Sequence, residues 1–399
     1  MEENPLESAN EECDAESLKG SKDKLSKAFL ICIAYSATIG GTTSLTGTGA
    51  TMVLKGVTEE LYGEEAGITF ANWIYFMLPM TILSIFMCWI LLQYFFLGRR
   101  CCLWVRDCRC CTQESDEGKA VRELIQREYS ALGDVSFAEM GVFIHFVGLI
   151  ALWLFRRPAF IPTFEGWSQI FLIPNYIDDA TTAMVIALSL TFFPSKMPWF
   201  IRRIFGKVDK DDKARPVEPL LTWESLQRRL PWHIVLLIGG GFALAKGCEE
   251  SGLSGWLGDL FSALSGIPQW LIVFILSTTL CMFTEITSNV TTATIFLPIC
   301  ASLSEGLCMN PLYLMIAATI ACTNAFMLPA ANPPTTIVFA YGTVSIPDLV
   351  KAGMFQNVVG VTLINILVNT MGTAVYDVLK FPSWASNDAC VANATVIAD

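Results

Sequence analysis

Between Glu305 and Asp348 the chain carries no charged residue, yet "LPAANPPTT" at 328–336 interrupts that run near its middle. So apolar a stretch belongs in a bilayer, whose hydrocarbon core is spanned by roughly 20 helical residues. Pro329, Pro333 and Pro334 donate no backbone hydrogen bond and break any regular helix. In lipid, unpaired backbone survives only when buried in protein or lining a cavity. The stretch 311–342 is therefore read as one span with an unwound centre.

The same pattern occurs near the beginning. "FLICIAYSATIGGTTSLTGTGATMVLKG" at 29–56 starts apolar, but positions 40–51 hold four glycines and six hydroxyl residues. An ordinary helix would not carry that composition. Shifted by 284 positions, Gly47-Thr48-Gly49-Ala50-Thr51 falls on Ala331-Asn332-Pro333-Pro334-Thr335, and apolar residues follow in both places. Two interrupted spans in corresponding positions point to an inverted-repeat transporter with its binding site at the breaks.

The remainder fits an all-α polytopic membrane protein. Hydrophobic residues make up 53% of the 399, charged ones only 16%, and mean hydropathy is +0.50. Further apolar segments lie at 73–97, 140–155, 180–195, 233–245, 268–283 and 353–375. The net charge of -11 arises mostly outside them, so it says little about partners. Lysines and arginines gather before the first span, in "GRRCCLWVRDCRCC" (98–111) and in 202–229, which places all three on the cytoplasmic side. Asn393-Ala394-Thr395 is a glycosylation acceptor if it faces outward, so the C-terminus is expected outside.

This gives the following organisation. Residues 1–24 are a disordered cytoplasmic segment, and 25–97 are the transport-domain part of a first repeat, with the unwound span 29–56 and the span 73–97. A cytoplasmic connector with an amphipathic helix occupies 98–138. Scaffold spans of the second repeat fill 139–283, around a cytoplasmic loop at 196–232. The transport-domain part of that repeat is 284–380, comprising a hairpin (284–307), the unwound span 311–342 and the span 353–375. An extracellular tail, 381–399, closes the chain. The cysteines at 101–111 allow zinc, S-palmitoylation or plain exposed thiols.

The chemistry concentrates in "TEITSNVTTATIFLPIC" (284–300), where seven of the first nine residues are polar. Small polar residues can pack helices together. An Asn beside a Ser and near a Glu, with paired threonines three residues on, fits better a re-entrant hairpin with its tip at Ser288-Asn289. Sodium needs several oxygens, which unwound carbonyls and Ser, Thr or Asn side chains supply. A carboxylate or sulfate needs donors and helix N-termini. Thr48, Thr284, Ser288, Asn289 and Asn332 offer such groups without a fixed cation. Glu285 is the one ionisable side chain there, a proton relay or a structural partner. Enzyme readings find little: two histidines without metal spacing, and a glycine-rich "IGGGFALAKGCEESG" (238–252) with no phosphate-loop pattern.

"SNVTT", "GGTTSLTGTG", "FMLPAANPPTTIVFAYG" and "LLIGGGFALAKGCEESGL" together resemble the sodium-coupled di- and tricarboxylate symporters of the divalent anion/sodium symporter family. The likeness runs from about residue 25 to about 385. It implies a homodimeric plasma-membrane elevator carrier, in which a transport domain slides against a scaffold. It implies substrate contacts at Thr48, Ser288, Asn289, Asn332 and Pro333. For sodium it implies Gly47 in the first half, and Thr284, Thr287 and Ala331 in the second. Thr51 and Thr335 stand where the family usually has Asn, which bears on sodium stoichiometry or affinity. Val290 replaces the usual Thr of a Ser-Asn-Thr signature, and Glu285 becomes a structural partner facing away from substrate. Family members begin with further spans and a first hairpin, so the chain is read as an N-terminally truncated product, isoform or gene model. The expected function is sodium-coupled symport of succinate, citrate and related anions. The alternatives are a truncated isoform that modulates full-length copies, a sulfate carrier or a channel.

Overall fold

In the computed structural model, residues 5–97, 116–156, 166–173, 177–197, 217–230, 266–329 and 332–385 are described, with isolated positions between 232 and 252. The cysteine run at 101–111, most of the loop 196–232, Ala331 and Asn393 lie outside the described residues. The chain divides into two units, 1–103 with 233–399, and 104–232.

The first unit is helical throughout its regular parts. Helices α1 (Pro5–Gly41) and α2 (Gly49–Tyr62) flank the first break, and α3 (Phe70–Leu92) follows, extended by a π-turn at Gln93–Leu97. Regular helix thus begins at Pro5, inside the stretch 1–24 expected to be disordered. That stretch is rich in Glu, Ala, Leu and Lys, which lose little rotamer freedom in a helix.

The second unit holds α4 (Asp116–Ala131), α5 (Phe137–Leu154), α6 (Asp179–Phe192) and α7 (Trp223–Arg229). Ser136 and Glu139 close a capping box on α5. Arg156 is buried behind it, 2.7 Å from Asp179 and hydrogen-bonded to the Ile177 carbonyl. The α4 residues Leu124, Ile125 and Tyr129 are exposed, leaving an apolar stripe on a charged helix.

The rest of the first unit comprises α8 (Gln269–Thr284), α9 (Asn289–Gly306), α10 (Pro311–Thr323), α11 (Pro333–Ala340) and α12 (Ile346–Tyr376). Only the turn Glu285–Ser288 separates α8 from α9. The hairpin is therefore longer than the 284–307 read from sequence, and 268–283 supplies its first arm. Helix α12 likewise starts before the expected 353, because Ser345 and Asp348 form a capping box ahead of the apolar run.

Every residue of α10 is buried. A helix apolar all round belongs in the centre, and α2, α8, α9 and α12 pack around it. A neighbouring core joins Ile31 and Tyr35 of α1, Leu92 of α3, Phe326 of the second break and Leu349 of α12. Outward faces are apolar too: Phe29, Ile33 and Ile82 are each 62% exposed. Faces of that kind need lipid rather than water. Among the described residues, three helical stretches, Phe70–Phe96, Phe137–Leu154 and Ile346–Tyr376, are long and apolar enough to cross a bilayer.

One buried carboxylate holds the second break. Glu285 accepts the backbone N–H groups of Phe326, Met327 and Leu328 at 2.9–3.1 Å and the Asn357 amide at 2.6 Å. Both its oxygens are thus engaged by the backbone of the break and by Asn357. Charge-assisted bonds of this kind are worth about twice neutral ones. Glu285→Gln should cost about 2 kcal/mol or more of stability, measured by denaturant unfolding in micelles. A change below about 0.5 kcal/mol would show that the break does not depend on this contact.

Candidate functional site

The two breaks and the hairpin turn meet around one cavity of about 550 Å³ in the first unit. Thr48, Ser288 and Asn332 line it, and each is the N-cap of its helix, α2, α9 and α11 respectively. The first four N–H groups of a helix have no intrahelical partner, and the macrodipole makes that end electropositive. Three such ends open on a cavity whose described lining carries no Lys, Arg, Asp or Glu, although α11 begins with Pro333 and Pro334, which have no N–H, and so offers its dipole more than its donors. The 284-position offset places Thr48 on Asn332, and both take up extended backbone, with φ/ψ of -133°/150° and -130°/132°.

Glycine makes the first break possible. A Cβ on Gly47 would overlap the Gly41 carbonyl oxygen, and one on Gly49 would run into the Val290 side chain. The Gly49–Val290 contact joins the start of α2 to the start of α9, and so brings the first break against the hairpin turn.

Side-chain hydrogen bonds then fix the second half. Thr284 Oγ1 lies 2.9 Å from both Asn289 Oδ1 and the Cys322 carbonyl. Asn289 Nδ2 donates to Asn332 Oδ1 at 2.6 Å, and Asn332 Nδ2 donates to the Ala325 carbonyl at 2.9 Å. In the first half, Thr51 Oγ1 has the Leu45 carbonyl at 2.7 Å, the Thr48 carbonyl at 2.8 Å and Thr48 Oγ1 at 2.9 Å. A hydroxyl has one proton, so around both Thr51 and Thr284 more oxygens crowd together than hydrogen can pair. Thr335 Oγ1 is fully buried and has no hydrogen-bond partner among the described residues.

Of the residues singled out from sequence, Gly47, Thr48, Ser288, Asn289, Asn332 and Pro333 line the cavity. Thr51, Thr284 and Thr335 do not line it; each is buried. Thr287 also stays off the wall and bonds Thr292 Oγ1 at 2.6 Å. Val290, noted from sequence as replacing a signature threonine, also lines it, whereas sequence reasoning assigned no site role to Thr38, Thr291 and Thr323, which line it too. The hydroxyl run at 291–292 was the available signal for Thr291.

The profile of the sodium:sulfate symporter transmembrane region matches residues 6–378. The chain belongs to that family. Among relatives of this symporter family, the Na(+)/citrate cotransporter of Rattus norvegicus is 41% identical over 367 residues, 90% of this chain and 63% of its own length. The Na(+)/dicarboxylate cotransporter 3 of Homo sapiens is 40% identical over 366 residues, 90% of this chain and 58% of its own. Solute carrier family 13 member 1 of Homo sapiens is 38% identical over 360 residues, 90% and 56% respectively. The chain thus spans about 60% of the length of the curated relatives it matches. With its apolar helices, this family member is a multi-pass membrane protein.

The Gly49–Val290 contact yields a direct test of the cavity wall. Gly49→Ala should destabilise the chain by about 1–3 kcal/mol through overpacking. Adding Val290→Ala should recover most of that loss, as neighbouring sites couple. Paired unfolding curves of the single and double variants measure it, and strictly additive losses would place the two side chains apart.

Proposed function

We propose that this chain carries small di- and tricarboxylates, such as succinate and citrate, across the plasma membrane together with sodium. The observation that carries this reading is the convergence of three helix N-termini on a cavity free of fixed charge. Backbone N–H groups and the hydroxyls of Thr48 and Ser288 hold a carboxylate without a lysine or arginine that would hinder its release. The cavity volume of about 550 Å³ suits a ligand of that size.

Sodium supplies the missing positive charge. The crowded oxygens at Thr51 and Thr284 and the unpartnered Thr335 hydroxyl suit a hard cation that prefers oxygen ligands. Gly47, Thr287 and the Ala331 carbonyl belong to the same proposed set. A cation on either side of the anion would lower the cost of burying its charge, so each ligand favours binding of the other. The names of the rat citrate and human dicarboxylate cotransporters support this substrate class.

The reading extends to an elevator-type inverted repeat, acting as a homodimer, in which the first unit carries the cavity across. The N-terminus faces the cytoplasm, and the C-terminus lies outside with Asn393 as a glycan acceptor. Sulfate is a second reading, favoured by the family's designation, since a tetrahedral dianion uses the same N–H donors.

Cells expressing the chain should accumulate radiolabelled succinate with sodium in the medium and not with choline. Asn289→Ala, which removes the bridge to Asn332, should lower that uptake at least about tenfold, the cost of about 1.4 kcal/mol, at equal surface amount. Uptake indifferent to sodium would overturn the symport reading, and an unchanged Asn289→Ala variant would overturn the site. Excess sulfate that abolishes uptake, when unlabelled citrate does not, would move the assignment to sulfate.

A further inference from the structure

A second cavity, of about 300 Å³, forms where Lys24 and Lys27 of α1, Phe95 and Phe96 after α3, and Asp348 and Lys351 of α12 come together. Three lysines face one aspartate, so its walls carry a net charge of +2 (three minus one). Asp348 is already committed. It takes Lys27 Nζ at 2.7 Å and the Ser345 backbone and hydroxyl at 3.2 and 2.6 Å. Lys24 and Lys351 are exposed and have no carboxylate within ion-pairing range among the described residues.

The surroundings identify the anion. The middle of α1, just before its apolar part, the end of α3 and the beginning of α12 gather here, and α3 and α12 are helices of membrane-spanning length. Directly beside the lysines, Leu25, Phe29, Tyr94 and Phe355 are exposed, and Phe95 packs on Phe355 with ring centroids 5.0 Å apart. A phosphate would be held by Lys24 and Lys351 whether free or in a headgroup. Only a lipid would also cover the flanking aromatic and aliphatic faces.

We propose that this cavity binds the phosphate headgroup of an anionic phospholipid, its acyl chains lying along α1 and α12. Basic residues clustered at the ends of spans attract anionic headgroups, mainly on the cytoplasmic leaflet. Bound there, the lipid bridges α1 and α12, the helices already tied by the Lys27–Asp348 pair. The proposal is independent of the carboxylate reading, because no residue of this cavity lines the other.

The test titrates the full chain in neutral detergent with fluorescently labelled phosphatidic acid, and separately with labelled phosphatidylcholine. Phosphatidic acid should bind saturably and at least about tenfold more tightly. Lys24→Gln/Lys351→Gln should weaken it by roughly twenty-five-fold, about fivefold per lysine, while Lys24→Arg/Lys351→Arg retains it. Equal binding of the two lipids, or a glutamine variant that binds like the wild type, would overturn the proposal. Displacement of the labelled lipid by equimolar inorganic phosphate would assign the site to free phosphate and overturn the lipid source.

Discussion

Backbone hydrogen bonding in a medium without water is the constraint on which the structure depends. A break in a membrane helix strands several N–H and C=O groups, each costly to leave unpaired in hydrocarbon. The second break meets this cost with one carboxylate, Glu285, which takes the N–H groups of Phe326, Met327 and Leu328. Asn332 and Tyr35 take the nearby carbonyls of Ala325 and Phe326. With those groups satisfied, the α11 N-terminus stays free to face the cavity. The first break uses hydroxyls, Thr42 and Thr51 capping the carbonyls of Ile39 and Leu45. The geometry of the cavity wall is thus what remains of the backbone once the rest has been paired.

Much of this was legible in the sequence because the chemistry is local. Glycines, prolines and hydroxyls inside apolar runs marked both breaks, and the 284-position offset aligned two residues, Thr48 and Asn332, that turn out to cap helices. Six of the residues named from sequence line one cavity. What stayed hidden depends on distance along the chain. Glu285 finds its partners about 41 residues later, and Val290 meets a glycine of the other half, a contact no spacing rule encodes. Helix starts were missed for another reason: hydropathy registers where a run becomes apolar, whereas α12 begins where Ser345 and Asp348 cap it. The hairpin's first arm was taken for a separate span, because an apolar helix carries no mark of which neighbour it will pack against.

The two proposed sites would attract an anion in two different ways. Around Thr48, Ser288 and Asn332 the attraction comes from fixed dipoles and lacks any mobile charge. Around Lys24 and Lys351 it comes from flexible ammonium groups at the edge of the apolar band. A dipole site releases its ligand when a companion ion leaves, whereas a lysine site holds any phosphate that stays in contact with it. Exchange suits the first and retention suits the second.

The complete burial of α10 also has a mechanical consequence. Close-packed interiors resist sliding, and α10 touches α2, α8, α9 and α12 on all sides. None of these can shift singly past it without opening a void against a fully buried surface. The least costly displacement keeps the five together, so α10 makes its neighbours one mechanical block, and Thr48, Ser288 and Thr323 on the cavity wall keep their spacing within it.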